Sequence, residues 1–337
     1  MTFKSYSPVP LIVKQILIKS LCGISLIFSG PLFAVNAASF TLDNDVFVGD
    51  DNGYTNGIYV SVYHIGNNVK ENFWVRPLMW TMPSGTALEY ANVHSFGQVL
   101  TTAEDITVAN PAEDDLPYSG LLQYTNAHVK IGQYYADWVS TTLGLVGPSA
   151  KGKQTQTDFH KLIGAKKPMG WDTQLKDEVV FAFSRGHVTR LIASPHDNFD
   201  FLVGGQLGVG TLKSAVNAGA MIRLGKNLKS SFATVLLASS RASNPLALDN
   251  SWFIYTGAFS TYVFNQIFTD GNTFRDSRSI DYDHSYNVFV AGLSTSLGNG
   301  ASLTFAYQTS FSEDESVSSY QTEKLNKFGT LTLAWQF

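Results

Sequence analysis

From residue 38 onward the chain alternates apolar and polar positions in short runs separated by turn-forming clusters. The last eight residues, Thr330-Leu331-Thr332-Leu333-Ala334-Trp335-Gln336-Phe337, place Leu331, Leu333, Trp335 and Phe337 on one face. A period of two is the signature of a β-strand whose two faces meet different surroundings. Runs of this kind predict strands at 38–47, 54–66, 92–101, 118–131, 134–146 and 178–190, then at 199–210, 213–224, 251–265, 284–298, 301–312 and 324–337. That makes twelve. The connections 67–91 and 225–250 are long, and the second holds a strand-like piece, Phe232–Ala238, which leaves room for one pair of strands to be placed differently.

Two interruptions stand out. Between the first two strands, Asp43-Asn44-Asp45 is followed by the turn cluster Gly49-Asp50-Asp51-Asn52-Gly53 and then by Tyr54-Thr55-Asn56-Gly57, the pattern of a hairpin with polar groups at its tip. In 147–177 the period changes. There Thr157 or Asp158 is placed to cap a short helix with Phe159, Leu162 and Ile163 on one apolar face, ended by Pro168 and Gly170.

The first 37 residues are of another kind. Lys4, Lys14 and Lys19 precede an apolar run, Leu21–Val35, and Ala34-Val35-Asn36-Ala37 has the small residues of a cleavage site, so 1–37 reads as a secretory signal peptide. Its apolar run is too short for a membrane anchor and is broken by Gly30-Pro31. The single cysteine, Cys22, falls inside it, so a chain of residues 38–337 has no thiol, disulfide or cysteine-ligated metal. With the three leader lysines removed, 20 basic residues face 27 acidic ones, a net charge of −7, which excludes a nucleic-acid binder.

Beyond the leader there is no apolar run of the length of a membrane-spanning helix, yet charged residues make up only 15% of the sequence and aromatics 13%. An exported chain of this composition has one way to live in a membrane, a closed sheet that satisfies every backbone group between strands. The expected fold is therefore all-β: an antiparallel transmembrane β-barrel of about twelve strands over 38–337, with a short helix in an external loop. The alternative is a soluble sandwich. With both ends on the periplasmic side, 48–53, 102–117, 147–177, the turn near 211, 266–283 and 313–323 are external, and the tight Leu297-Gly298-Asn299-Gly300 is periplasmic.

Candidate chemistry gathers at the external rim. Asn44, Asp45 and Thr55 lie there, and so does the loop 147–177, whose Lys151, Lys153, Lys161, Lys166 and Lys167 fall within 17 residues around a single acid, Asp158. Such a basic patch is either a solvated loop or a site for the phosphates of an anionic outer leaflet. His160 is one of seven histidines, with His64, His94, His128, His187, His196 and His284, and spacing alone separates none of them. No G-x-S-x-G elbow, H-E-x-x-H helix or Gly-rich phosphate loop is present, and Asp50-Asp51-Asn52-Gly53 lacks the spaced ligands of an EF-hand.

The ordered set Asn44-Asp45, Tyr54-Thr55-Asn56-Gly57, His160-Lys161-Leu162-Ile163-Gly164 and Gly170-Trp171-Asp172-Thr173-Gln174-Leu175, with the terminal Phe337, resembles the outer-membrane lipid A 3'-O-deacylase family. The resemblance implies a twelve-stranded barrel in the bacterial outer membrane that hydrolyses the 3'-linked acyl ester of lipid A, or of whole lipopolysaccharide, with calcium. Its site would lie between the barrel wall and a helix from an external loop. It further implies His160 as the base that activates water, Asp45 as a Ca2+ ligand, and Asn44 and Thr55 as groups that hold the metal, the water or the ester oxygen. The lysines would meet lipid A phosphates, and a monomer is expected. Some family members carry an acid six residues after the histidine, where this chain has Lys166, so its role would be vacant or pass to Asp158 or Asp172.

Two other functions remain open, an outer-membrane phospholipase with a serine nucleophile and a non-enzymatic barrel, pore or adhesin. Alternation also poses a question. Asn44 shares parity with Phe40 and Leu42, and Asp45 with Thr41 and Asp43, so either the strand twists or bulges at the rim or only part of the site faces the outer wall.

Overall fold

The computed structural model describes residues 37–49, 53–85, 87–231, 250–312 and 317–337. The leader, apart from Ala37, the turn residues 50–52 and the strand-like Phe232–Ala238 lie outside the described residues. Twelve strands form a closed antiparallel barrel in which each strand pairs with its sequence neighbours and β1 closes on β12. They are β1 (Ala37–Asn44), β2 (Gly53–Gly66), β3 (Glu89–Thr102), β4 (Ser119–Ile131), β5 (Tyr135–Val146) and β6 (Glu178–Ala193). The second half holds β7 (Phe199–Val209), β8 (Lys213–Lys226), β9 (Trp252–Gln266), β10 (Ser285–Gly298), β11 (Ala301–Phe311) and β12 (Phe328–Gln336). All lie where the alternation places them, and none of the twelve is misplaced.

Two departures from the expected strand bounds, both at the loop end of the barrel, bear on the site. β1 stops at Asn44 and gives way to a 3-10 turn, Asp45–Val48. β12 begins only at Phe328, because Val317–Asn326 is helix. Three α-helical segments occur among the described residues: α1 (Gly152–Ile163), the single turn α2 (Ile267–Asp270) and α3 (Val317–Asn326). None of the helices is long and apolar enough to cross a membrane.

The two faces of the wall behave as the period requires. On β12, Leu331, Leu333 and Phe337 are exposed while Thr332 and Ala334 are buried. Exposed apolar residues recur around the outside, including Phe96, Val179, Leu207, Phe264 and Leu293, the surface a barrel presents to lipid. In the lumen Tyr63, Trp138, Leu202, Met221, Phe253 and Tyr255 cluster beside a cavity of about 380 Å³. At the end that carries both termini the lumen is sealed by Arg190, Asp200 and Arg223, all buried and ion-paired.

The long connection 67–88 is not a misplaced strand pair but a strap that folds back over the outside of β4–β6. Val75 and Met82 pack on Val139, which alternates with the lumen-facing Trp138 and so faces outward. Thr141 Oγ1 donates to the Trp74 carbonyl at 2.8 Å and Lys130 Nζ to the Pro83 carbonyl at 3.0 Å.

Candidate functional site

The rim site begins where β1 loses its alternation. Ser39, Thr41 and Asp43 face the lumen: Ser39 Oγ meets Tyr63 Oη, Thr41 Oγ1 meets Thr332 Oγ1, and Asp43 accepts hydrogen bonds from Tyr54 Oη and Thr330 Oγ1. Phe40, Leu42 and Asn44 therefore face outward. Had the strand continued, Asp45 would have turned back to the lumen, but the 3-10 turn that starts there breaks the period.

A bulge completes the rearrangement. Tyr54 pairs with Thr101 and Asn56 with Leu100, so Thr55 is the extra residue of β2. Tyr54 stays lumenal, bonded to Asp43 and Tyr59, whereas Thr55 lines the same external cavity as Asn56 and Ile58. Asn44 Nδ2 donates to the Thr55 carbonyl at 2.7 Å and Thr55 Oγ1 meets Thr102 Oγ1 at 2.7 Å, which ties the bulge to both neighbouring strands. Gly57 follows of necessity, since a Cβ there would lie 2.3 Å from Tyr54 Oη. Of the alternatives the alternation left open, a bulge is present, and Asn44, Asp45 and Thr55 meet on the outer side.

Helix α1 supplies the other wall. It starts at Gly152, five residues earlier than the capping pattern at Thr157 suggests, after Lys151 turns the chain in a left-handed conformation (φ 62°). A Cβ at Gly152 would sit 2.5 Å from the Trp171 ring and 2.9 Å from Leu100, so glycine lets the helix start press onto the outside of β3. Trp171 is fully buried with Leu100, Ala103 and Tyr118. The buried face of α1 carries Gly152, Gln156 and His160, while Phe159 and Leu162 are exposed. Of the expected apolar face, Phe159 and Leu162 are exposed: on the outside of a membrane barrel the surroundings are apolar, and the helix turns polar residues toward the protein.

His160 is 5% exposed, and its Nδ1 lies 2.6 Å from the Lys166 carbonyl oxygen. A carbonyl only accepts, so Nδ1 carries the proton and Nε2 keeps the lone pair. The contact is made by the helix C-terminus. Gly164 adopts φ 72°, the amide of Ala165 bonds back to the His160 carbonyl at 2.9 Å, and the returning chain presents the Lys166 carbonyl to the ring. Neither Asp158 nor Asp172 takes the orienting role. Asp158 faces Lys161, and Asp172 faces Lys153 at 2.7 Å, whose ammonium holds its carboxyl below the ordinary range. Lys151, Lys153, Lys161, Lys166 and Lys167 are all exposed around the helix.

Between helix and wall lies a cavity of about 390 Å³. Asn44, Asp45, Thr55, Asn56, Gln156 and His160 form its polar part, and Leu42, Ile58, Leu100 and Phe159 its apolar part. Asp45, Asn44 and Thr55 offer a carboxylate, an amide oxygen and a hydroxyl, the hard donors calcium takes, with backbone carbonyls to complete a shell. The set fits such an ion in donor type with one carboxylate, for among the described residues no three His, Cys, Asp or Glu side chains gather into a metal cluster. Gln156 and the Lys166 carbonyl are absent from the residues the sequence points to. The spacing of Gln156 four before His160, which puts both on one side of the helix, was a readable sign; a backbone acceptor leaves none.

A model of the family described as outer membrane protein LpxR matches residues 21–337. Among solved structures the chain is similar to LpxR from Salmonella typhimurium, with a TM-score of 0.69 and 14% identity over 89% of this chain and 100% of that one. The β domain of the Bordetella autotransporter BrkA matches with a TM-score of 0.45 and 10% identity over 90% of this chain and 100% of that one, too distant to bear on function. No curated protein matches the sequence.

Proposed function

Because the chain belongs to the LpxR family of outer membrane proteins, we propose that it is a lipid A 3'-O-deacylase, a hydrolase that cuts the 3'-linked acyl ester in the outer leaflet with His160 as the base. The observation that carries this reading is the buried imidazole of His160, with Nδ1 committed to the Lys166 carbonyl, set in a cavity outside the wall beside Asn44, Asp45 and Thr55. A membrane lipid reaches such a cavity sideways from the leaflet.

The chemistry follows from the donors present. Nε2 of His160 takes a proton from water as the oxygen attacks the ester carbonyl carbon, and the carbonyl oxygen gains the negative charge. When the tetrahedral adduct collapses, the acyl C–O bond breaks and the imidazolium returns the proton to the sugar oxygen, leaving a free fatty acid and a sugar hydroxyl. Asp45, with Asn44 and Thr55, would hold a calcium ion, which when bound supplies positive charge to the developing oxyanion. Leu42, Ile58, Leu100 and Phe159 give the acyl chain an apolar bed, and the exposed lysines of 151–167 offer ammonium groups to lipid phosphates. The reading carries with it export by removal of residues 1–37 and action as a monomer.

The alternatives fit less well. The described residues that line the cavity include no serine, which a phospholipase of the serine type needs. A passive pore of the porin kind needs more strands than twelve; a cavity of about 380 Å³ lies in this lumen, but Tyr63, Trp138, Phe253 and the Asp200 ion pairs crowd the end that carries the termini. Purified refolded barrel is incubated with lipid A in calcium and in chelator, and the products are weighed by mass spectrometry. Loss of a 3'-acyloxyacyl mass in calcium alone is the expected result; intact lipid A in both would overturn the proposal.

A further inference from the structure

Gln156 lies one helical turn before His160 on the same face of α1, is 2% exposed, and lines the same cavity. Its Oε1 accepts a hydrogen bond from the Trp171 indole N–H at 2.7 Å. The indole nitrogen only donates, so the amide cannot flip without losing that bond, and the orientation of Gln156 is set by chemistry. The consequence is that the two N–H donors of Nε2 point away from Trp171, and this buried nitrogen has no hydrogen-bond partner in the protein. A buried amide left without an acceptor is costly. Burying one beside a catalytic base is reasonable if an acceptor arrives with the substrate.

Resting on the deacylase reading above, we propose that Gln156 is a catalytic residue whose Nε2 donates a hydrogen bond to the ester carbonyl oxygen as it becomes an oxyanion, with Trp171 as its positioning residue. The pair then divides the reaction between them. His160 takes the proton from water while Gln156, fixed four residues earlier on the same rigid helix, meets the charge that forms on the other oxygen. No group needs to move between the two events, which is the condition for electrostatic stabilisation to be effective.

The test uses Gln156→Glu, which keeps an acceptor for the Trp171 indole and removes the donor. Gln156→Met, of similar length and without a donor, serves if a buried carboxylate prevents folding. Wild-type and variant barrels of equal heat-modifiable gel migration are compared on lipid A by initial rates. The expected result is a fall in kcat of about 100-fold or more with KM little changed, the signature of a contact made only in the transition state. Trp171→Phe, which frees the amide to rotate, should lower kcat by less. A folded variant with wild-type kcat would overturn the role of Gln156 and leave the deacylase reading standing. A wild-type barrel that releases no acyl chain would overturn both.

Discussion

The two ends of this barrel bury polar groups in opposite ways. At the end that carries the termini, Asp200 is fully buried and both its oxygens are engaged, Oδ1 by Arg223 Nε at 2.9 Å and Oδ2 by Arg190 Nε at 2.7 Å and Arg223 Nη2 at 2.6 Å. Arg223 goes on to Ser231 Oγ and the Leu228 carbonyl, and stacks over Phe253 at 5.0 Å. At the loop end, the cavity under α1 holds a comparable set of polar side chains, but Gln156 Nε2 is left unmatched and His160 keeps a basic nitrogen. A saturated network has nothing left to offer a ligand and contributes rigidity; an unsaturated one costs stability and retains reactivity.

The contrast can be broken by mutation. The largest effect on the fold is expected from Asp200→Ala, which strips the buried Arg223 guanidinium of its carboxylate, leaves Arg190 with Asp197 alone, and should cost about 3–5 kcal/mol in denaturant unfolding. Its activity per folded molecule should be unchanged. Gly164→Val comes next. A β-branched residue at φ 72° costs about 1–2 kcal/mol and shifts the turn that brings the Lys166 carbonyl to His160, so kcat should drop on the order of 10- to 100-fold. Lys166→Ala sharpens the same point from the other side: since the contact with His160 uses the backbone, acyl release at saturating lipid A should keep the wild-type kcat in a mass-spectrometric time course, any loss of a phosphate contact appearing in KM.

The smallest effect concerns the ties between external loops. Glu104 accepts hydrogen bonds from Lys324 Nζ at 2.7 Å and from Tyr320 Oη at 3.0 Å, linking the β3–β4 loop to α3. The Lys324 ammonium holds the Glu104 carboxyl below its ordinary range. A lowered folded-state pKa gives stability that is present above the unfolded value, about 4.3, and is lost as pH falls through the folded one. Amide exchange in α3 should therefore quicken below about pH 4, modestly because Glu104 is half exposed, and Glu104→Gln should remove that pH dependence.

How much of this was legible in the chain depends on which force wrote it. The strands were, because a wall between lumen and lipid imposes a period of two along every crossing, as Leu331 to Phe337 display. So was the gathering of Asn44, Asp45, Thr55 and His160, through the short motifs that carry them. Which way the apolar face of α1 turns was not legible, because the rule that apolar residues turn inward assumes water outside, and Phe159 and Leu162 are exposed. Alternation posed the question at Asn44-Asp45 without answering it, since a 3-10 turn and a one-residue bulge at Thr55 are decided by hydrogen bonds to Asn44 and Thr102 rather than by local pattern. The vacancy at Lys166 was only apparent, as the orienting group is a carbonyl that every residue possesses.

The most direct measurement compares wild-type and His160→Ala barrels, matched in heat-modifiable migration and denaturant midpoint, for release of the 3'-linked acyl chain from lipid A in calcium. Removal of the general base should lower the rate by about 100- to 10,000-fold while the barrel remains folded. Release by His160→Ala at the wild-type rate would contradict the assignment of the rim cavity as the active site.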